Sequence, residues 1–159
     1  MLPAASPRGR GAKSGGDAYT GDNTVPGGDT NRAVQDAGGV TAAGSDAPVE
    51  TRDPRPFVNL AHAITRRNPG GKALNAAQDL TVDEAIDAYT INGARMLGID
   101  EDAGSLDVGK SADFIVLDRD IVQLAADGRA DDIAKTRVKQ TWFRGKQVYP
   151  LRGTLNAER

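Results

Sequence analysis

The chain has 159 residues, 38% hydrophobic and 26% charged, with a mean hydropathy of −0.47. That length suits one ordinary domain, or a small domain with sequence left outside any core. Its net charge of −2, from 20 basic and 22 acidic side chains, gives no field that would gather nucleic acid or a membrane surface as partner. Cysteine is absent, which excludes disulfides, thiolate zinc sites and cysteine nucleophiles, and the single histidine, His62, excludes mechanisms needing two imidazoles from this chain.

Residues 1–30 are rich in Gly, Pro, Asp and Ser, with Leu2, Tyr19 and Val25 as their bulky apolar members. Such a stretch buries too little surface to offset an ordering cost of roughly 1–2 kcal/mol per residue, so it is expected to be disordered. Met1 to Gly11 carries basic residues but no following apolar core, which argues against a secretory signal and leaves the cytoplasm as the expected location. The longest purely aliphatic or aromatic run, Phe114 to Leu117, is far short of the ~20 residues that a membrane span needs.

A weak helical pattern over Asn31 to Gly38 precedes Val40 to Ala43, which is small, apolar and glycine-flanked, as a short buried strand would be. Asp46 would then stand at the end of that strand, before Pro48. Phe57, Leu60, Ala61 and Ile64 form one helical stripe, entered through Pro54 and Pro56 and stopped by Pro69-Gly70-Gly71. His62 falls off the stripe, which points it toward solvent or a helix edge. Arg66 and Arg67 fall in the last turn, where cations complement the helix dipole.

Thr81-Val-Asp-Glu84 is a capping box opening a helix through Ala85, Ile86, Ala88 and Tyr89. Thr90 to Leu97 continues that helix or begins a second, and Gly98 ends it. From Gly104 the period shortens. Ser105–Val108, Asp113–Leu117, Val138–Phe143 and Gln147–Tyr149 read as four short strands, with turns at Gly109-Lys110 and Arg144-Gly145-Lys146. Ile121 to Asp132 reads as a linker with a helical turn. The expected organisation is thus residues 1–30 disordered, 31–98 strand and helices, 99–150 a small sheet and 151–159 a tail. Leu106, Val108, Phe114, Val116, Val138, Trp142 and Val148 are expected to share the sheet's apolar layer.

Asp46 is the candidate site residue, because a carboxylate at the C-terminal end of a buried parallel strand is where barrel enzymes place catalytic groups. An Asp before Ala-Pro is also an ordinary turn residue. Gly9 to Ser14 departs from a phosphate-binding loop, with Pro7 and Ala12 standing where glycines are needed. Asp100, Glu101 and Asp102 lack the twelve-residue frame of a calcium loop and read as a solvated acidic turn.

Taken together, these segments resemble a known family. Gly44-Ser-Asp-Ala-Pro-Val49 resembles the end of the eighth barrel strand of the metal-dependent amidohydrolases, in particular amidohydrolase family 3, which includes N-substituted formamide deformylases. Thr81 to Ala85, Ala88 to Ala94 and Leu97-Gly98 resemble that family's last helices. Gly104-Ser-Leu-Asp-Val-Gly-Lys-Ser-Ala-Asp-Phe-Ile-Val-Leu-Asp118 is similar to its C-terminal signature, and Arg144 to Tyr149 to its last hairpin.

The resemblance implies an α/β fold: the last strand and helices of a (β/α)8 barrel, followed by part of a small β-sandwich. It also implies hydrolysis of carbon–nitrogen bonds in small amide-type substrates by water activated on a divalent metal, zinc as a rule. Asp46 would serve there as both metal ligand and general base. The family's paired histidines on the first strand, and its ligands on strands four to six, have no counterpart here. The chain is therefore expected to be inactive by itself, to hold no metal stably, and to self-associate or to pair with a complementary chain supplying the missing strands. A non-catalytic remnant or a small β-rich interaction module is the alternative. Arg52 is positioned in sequence to reach a substrate carboxylate, although a solvated loop arginine is the commoner use.

Overall fold

The computed structural model describes residues 31–45, 47, 54–67 and 75–150. Five expectations fall outside them: the disordered N-terminus, Asp46, Arg52, the Pro69-Gly70-Gly71 stop and the tail. The elements in chain order are α1 (Asn31–Asp36), α2 (Pro56–Thr65), a 3-10 turn (Ala76–Gln78), α3 (Val82–Tyr89), α4 (Ile91–Leu97), β1 (Phe114–Leu117), α5 (Ile121–Ala126), a 3-10 turn (Ala130–Lys135), β2 (Val138–Phe143) and β3 (Lys146–Tyr149).

Local chemistry accounts for most element ends. Proline at the start of α2 costs no hydrogen bond there, since the first amides of a helix have no partner within it. The capping box forms in full: the Glu84 amide donates to Thr81 Oγ1 at 3.2 Å, and the Thr81 amide donates to Glu84 Oε2 at 2.8 Å. Thr90 (φ −128°, ψ −98°) separates α3 from α4, so the two patterns are distinct helices. Gly98, at φ 69°, is the left-handed stop of α4. Asp120 caps α5 by accepting from the Gln123 amide at 2.9 Å.

The core gathers Phe57, Leu60 and Ala61 of α2 with Leu80, Ala85, Ile121 and Ile133. Ile133 is fully enclosed, at 0% exposure. Because α2 packs against both α3 and the 130–135 turn, its buried arc is wider than the sequence stripe. His62 is accordingly buried at 8% exposure, not turned to solvent as expected. Arg66 likewise is a buried left-handed cap (φ 49°), its amide donating to the His62 carbonyl at 2.8 Å, while Arg67 is exposed.

The sheet is antiparallel, in the order β1-β2-β3. Phe114 faces Trp142 across β1 and β2, and their rings stack with centroids 5.4 Å apart. Arg144 (φ 49°) and Gly145 (φ 72°) form the two-residue loop from β2 to β3, both at positive φ as a type I′ turn requires.

Two expectations about strands and one about a linker are corrected. Val40–Ala43 forms no strand and is largely exposed. A parallel strand needs a neighbour, and the bonds of this segment go instead to helices: the Ala43 amide donates to the Ala88 carbonyl, and the Asn92 side chain to the Thr41 carbonyl. Ser105–Val108 is a loop bracketed by Gly104 (φ 90°) and Gly109 (φ 98°), with Ser105 Oγ donating to Asp107 Oδ2. Leu106 and Val108 therefore project into solvent. Ile121 to Asp132 is no mere linker, since it holds α5 and begins the second 3-10 turn.

The single apolar layer is corrected with them. Bulges between Val116 and Leu117, and between Thr141 and Trp142, shift the register. Val138 and Leu117 pack onto the core, whereas Val116 and Val148 are exposed. Ile115, Phe143 and Tyr149 are exposed as well, so one three-stranded layer stands among the described residues where two layers of a sandwich were expected in part.

Candidate functional site

Asp46 lies between two described residues, Ser45 and Ala47, and the Ala47 amide donates to Ser45 Oγ at 3.3 Å. The segment before it makes three hydrogen bonds to the helices, two through its backbone and one through the Thr41 side chain. The Asn92 side-chain amide donates to the Thr41 carbonyl at 3.0 Å, the Ala43 amide to the Ala88 carbonyl at 2.9 Å, and Gln35 Nε2 to Thr41 Oγ1 at 3.1 Å. Asn92 is itself buried and fixed, because a guanidinium nitrogen of Arg95, one turn along α4, donates to its Oδ1 at 2.9 Å. Sequence reading passed over Asn92. Its visible signal was an amide residue, poor in helix propensity, set inside a short helix between Ile91 and Gly93.

Behind this segment, Arg32 of α1 grips Glu84 of α3 in a two-pronged pair, at 2.8 and 2.6 Å, and also donates to the Asp79 carbonyl. The Arg32 hydrogen bond, helped by the Thr81 amide and opposed by burial, pulls the Glu84 carboxyl down to about 2. Burial pushes the Tyr89 hydroxyl up, with the Asn59 side chain opposing. The Arg119 guanidinium and then the Arg137 amide hold Asp118 well below the usual carboxylate range. Asp107 and Asp132 are lowered too, first by Ser105 and by Lys135 respectively.

These carboxylates serve caps, turns and ion pairs. No group of three or more His, Cys, Asp or Glu side chains able to hold a metal ion occurs among the described residues. The lone histidine is buried in α2, and the acids at 100–102 belong to an exposed turn. The described residues therefore do not fit a metal centre by themselves, since a catalytic zinc takes about three protein ligands. A hollow of about 150 Å³, lined by Thr65, Arg67, Gly128, Ala130 and Asp131, is small for a substrate site and is crossed by the exposed Arg67–Asp131 pair at 3.6 Å. No helix among the described residues is long and apolar enough to cross a membrane.

Comparison with known proteins supplies what these residues cannot. The chain is 32% identical over 123 residues to the N-substituted formamide deformylase of Arthrobacter pascens, covering 77% of this chain and 22% of that protein. It is 32% identical over 124 residues to the imidazolonepropionase of Bdellovibrio bacteriovorus, covering 78% of this chain and 25% of the other. Its fold matches an adenosine deaminase from Xanthomonas campestris with bound zinc, at a TM-score of 0.51 and 24% identity, over 72% of this chain and 27% of that one. The chain thus spans about a quarter of the length of these proteins. The model of the amidohydrolase family matches residues 15–149. That match takes in the capped helices, the loop from Gly104 and all three strands, and the chain belongs to the amidohydrolase family.

Proposed function

We propose that this chain is the C-terminal part of a metal-dependent hydrolase of carbon–nitrogen bonds in small amide-type substrates, and that Asp46 is the catalytic group it contributes. The observation that carries this proposal is the family match over residues 15–149, a span that includes position 46. The substrates named for the relatives, N-substituted formamides in one case, give the class to test first.

Asp46 would take a proton from the attacking water as the oxygen–carbon bond forms, and return it to the nitrogen as the carbon–nitrogen bond breaks. In the complete enzyme a divalent metal, zinc as a rule, would supply water activation, with Asp46 as one ligand. Its remaining ligands must come from residues outside those described here. By this proposal the chain alone is inactive, and a complementary chain or self-association covers the sheet.

Ile115, Phe143 and Tyr149, exposed on a thin sheet, also suit a non-catalytic interaction module. Metal content separates the two. The test is hydrolysis of N-butylformamide by the purified chain, alone and assembled with the remaining barrel strands of a family member, each with Asp46 intact and as Asp46→Ala. Turnover confined to the assembly and lost in Asp46→Ala is expected. Turnover by the chain alone that survives Asp46→Ala would overturn the proposal.

A further inference from the structure

Asn92-Gly93 is the one Asn-Gly pair in the chain, and it lies inside α4, where both residues have poor helix propensity. A Cβ added to Gly93 would meet nothing within 4 Å among the described residues. Nor does Gly93 take a positive φ, so neither packing nor backbone conformation there calls for glycine. What glycine does give is an unshielded amide nitrogen beside the Asn92 side chain. That pairing favours an intramolecular reaction, in which the amide nitrogen of one residue attacks the side-chain carbonyl carbon of the residue before it.

In the closed helix the attack is blocked. Asn92 is buried, its Nδ2 donates to the Thr41 carbonyl at 3.0 Å, and its Oδ1 accepts from Arg95 at 2.9 Å. Both ends of the side-chain amide are thus fixed, and closing a ring between the Gly93 nitrogen and Asn92 Cγ requires Asn92 to leave helical dihedrals. Yet α4 has only seven residues and is set off from α3 by Thr90, and a helix so short has little stability of its own. Its closure depends on the tie to Thr41 and on the 104 loop, where a Cβ on Gly104 would lie 2.6 Å from the Ala94 Cβ and 3.0 Å from the Ile91 Cα. Local opening of α4 therefore controls whether the pair can react.

We propose that Asn92-Gly93 is a latent self-modification site, silent while α4 is closed and converted when it opens. The Gly93 nitrogen forms a bond to Asn92 Cγ, the Cγ–Nδ2 bond breaks, and the departing nitrogen takes the Gly93 amide proton to leave as ammonia. Water then opens the cyclic imide at one of its two carbonyl carbons, giving aspartate in the normal backbone or a β-linked isoaspartate. The balance is asparagine and water to aspartate and ammonia. Neither product restores the contact with Thr41: an aspartate at 92 accepts only and faces the Thr41 carbonyl with an oxygen, and an isoaspartate adds a carbon to the backbone of α4. Conversion is thereby a one-way release of Thr41 from α4, independent of the reaction proposed for Asp46.

The test follows Asn92 by mass spectrometry of digests while the full chain is incubated at neutral pH, in native buffer and unfolded in urea. Conversion in native buffer should be at least about a hundredfold slower than in urea, as a rarely populated open state requires. Arg95→Met, a change at an exposed residue that frees Oδ1, should raise the native rate about tenfold, as one lost hydrogen bond implies, and leave the rate in urea unchanged. Gly93→Ala, for which there is room, should keep the native circular dichroism and slow conversion in urea, since its Cβ shields the nitrogen.

In chains already converted, the Ala43 amide, bonded to the Ala88 carbonyl just beyond Thr41, should exchange about tenfold faster, while Leu60 and Ala61 in α2 keep their protection. Equal conversion in buffer and in urea would overturn the proposal. So would no conversion in urea, no response to Arg95→Met, or unchanged exchange at Ala43 after conversion. Where Arg95→Met fails to fold, the wild-type ratio between buffer and urea decides by itself.

Discussion

Replacing Ile133 by alanine tests the packing on which every other position depends. Ile133 is fully enclosed, and it sits in a 3-10 turn whose backbone is held firmly. Its carbonyl accepts from both the Thr136 amide at 3.0 Å and Thr136 Oγ1 at 2.6 Å. The turn packs on α2 and α5 together, so the surroundings can close only partly around a lost side chain. Removal of three carbons from such a site costs about 3–4 kcal/mol, and Ile133→Val, which removes one, about 1 kcal/mol. A domain of this size has roughly 5–15 kcal/mol in all, so the first change would take away a large share. Urea unfolding followed by far-ultraviolet circular dichroism gives both numbers, provided that the slope with urea is unchanged. A cost below about 1 kcal/mol for Ile133→Ala would refute the placement of Ile133 at the centre of the core.

Two further outcomes follow from particular contacts. Glu84, depressed from 4.5 to about 2 by Arg32 and the cap, adds stability that is fully present above about pH 4.5 and is lost as pH falls through about 2. Glu84→Gln keeps a capping side chain without the charge, so its deficit against wild type in urea unfolding should be constant near neutrality and vanish toward pH 2. A deficit that persists unchanged in acid would contradict this. Gly104→Ala combines a φ of 90° with a Cβ 2.6 Å from that of Ala94, and should destabilise by more than about 1 kcal/mol. Full stability of that variant on thermal unfolding would contradict the close packing of the 104 loop on α4.

The features readable from sequence were those whose causes are local. The Thr81–Glu84 box, the Gly98 stop, the α2 stripe and the Arg144-Gly145 turn each depend on residues within a few positions, and each formed. Val40–Ala43 and Ser105–Val108 had the composition of strands, but a strand exists only with a partner, and partners cannot be read from a six-residue window. His62 was misplaced for a similar reason, since a second neighbour packed on α2 widened its buried arc beyond the stripe. The family was legible in the Gly104–Asp118 run and is matched over residues 15–149. Asn92 stayed hidden because its role appears only when Thr41 and α4 are brought together.

The most direct test of the central claim is zinc content measured together with N-butylformamide hydrolysis, on the purified chain dialysed against buffered zinc. An Asp46 carboxylate without companions should hold far less than one zinc per chain and give no turnover, with Asp46→Ala indistinguishable from wild type. In assembly with the remaining strands of a family barrel, stoichiometric zinc and turnover should appear together, and Asp46→Ala should abolish the turnover. One zinc per isolated chain, with hydrolysis that is lost both on chelation and in Asp46→Ala, would contradict the claim that this chain contributes one catalytic group to a site completed elsewhere.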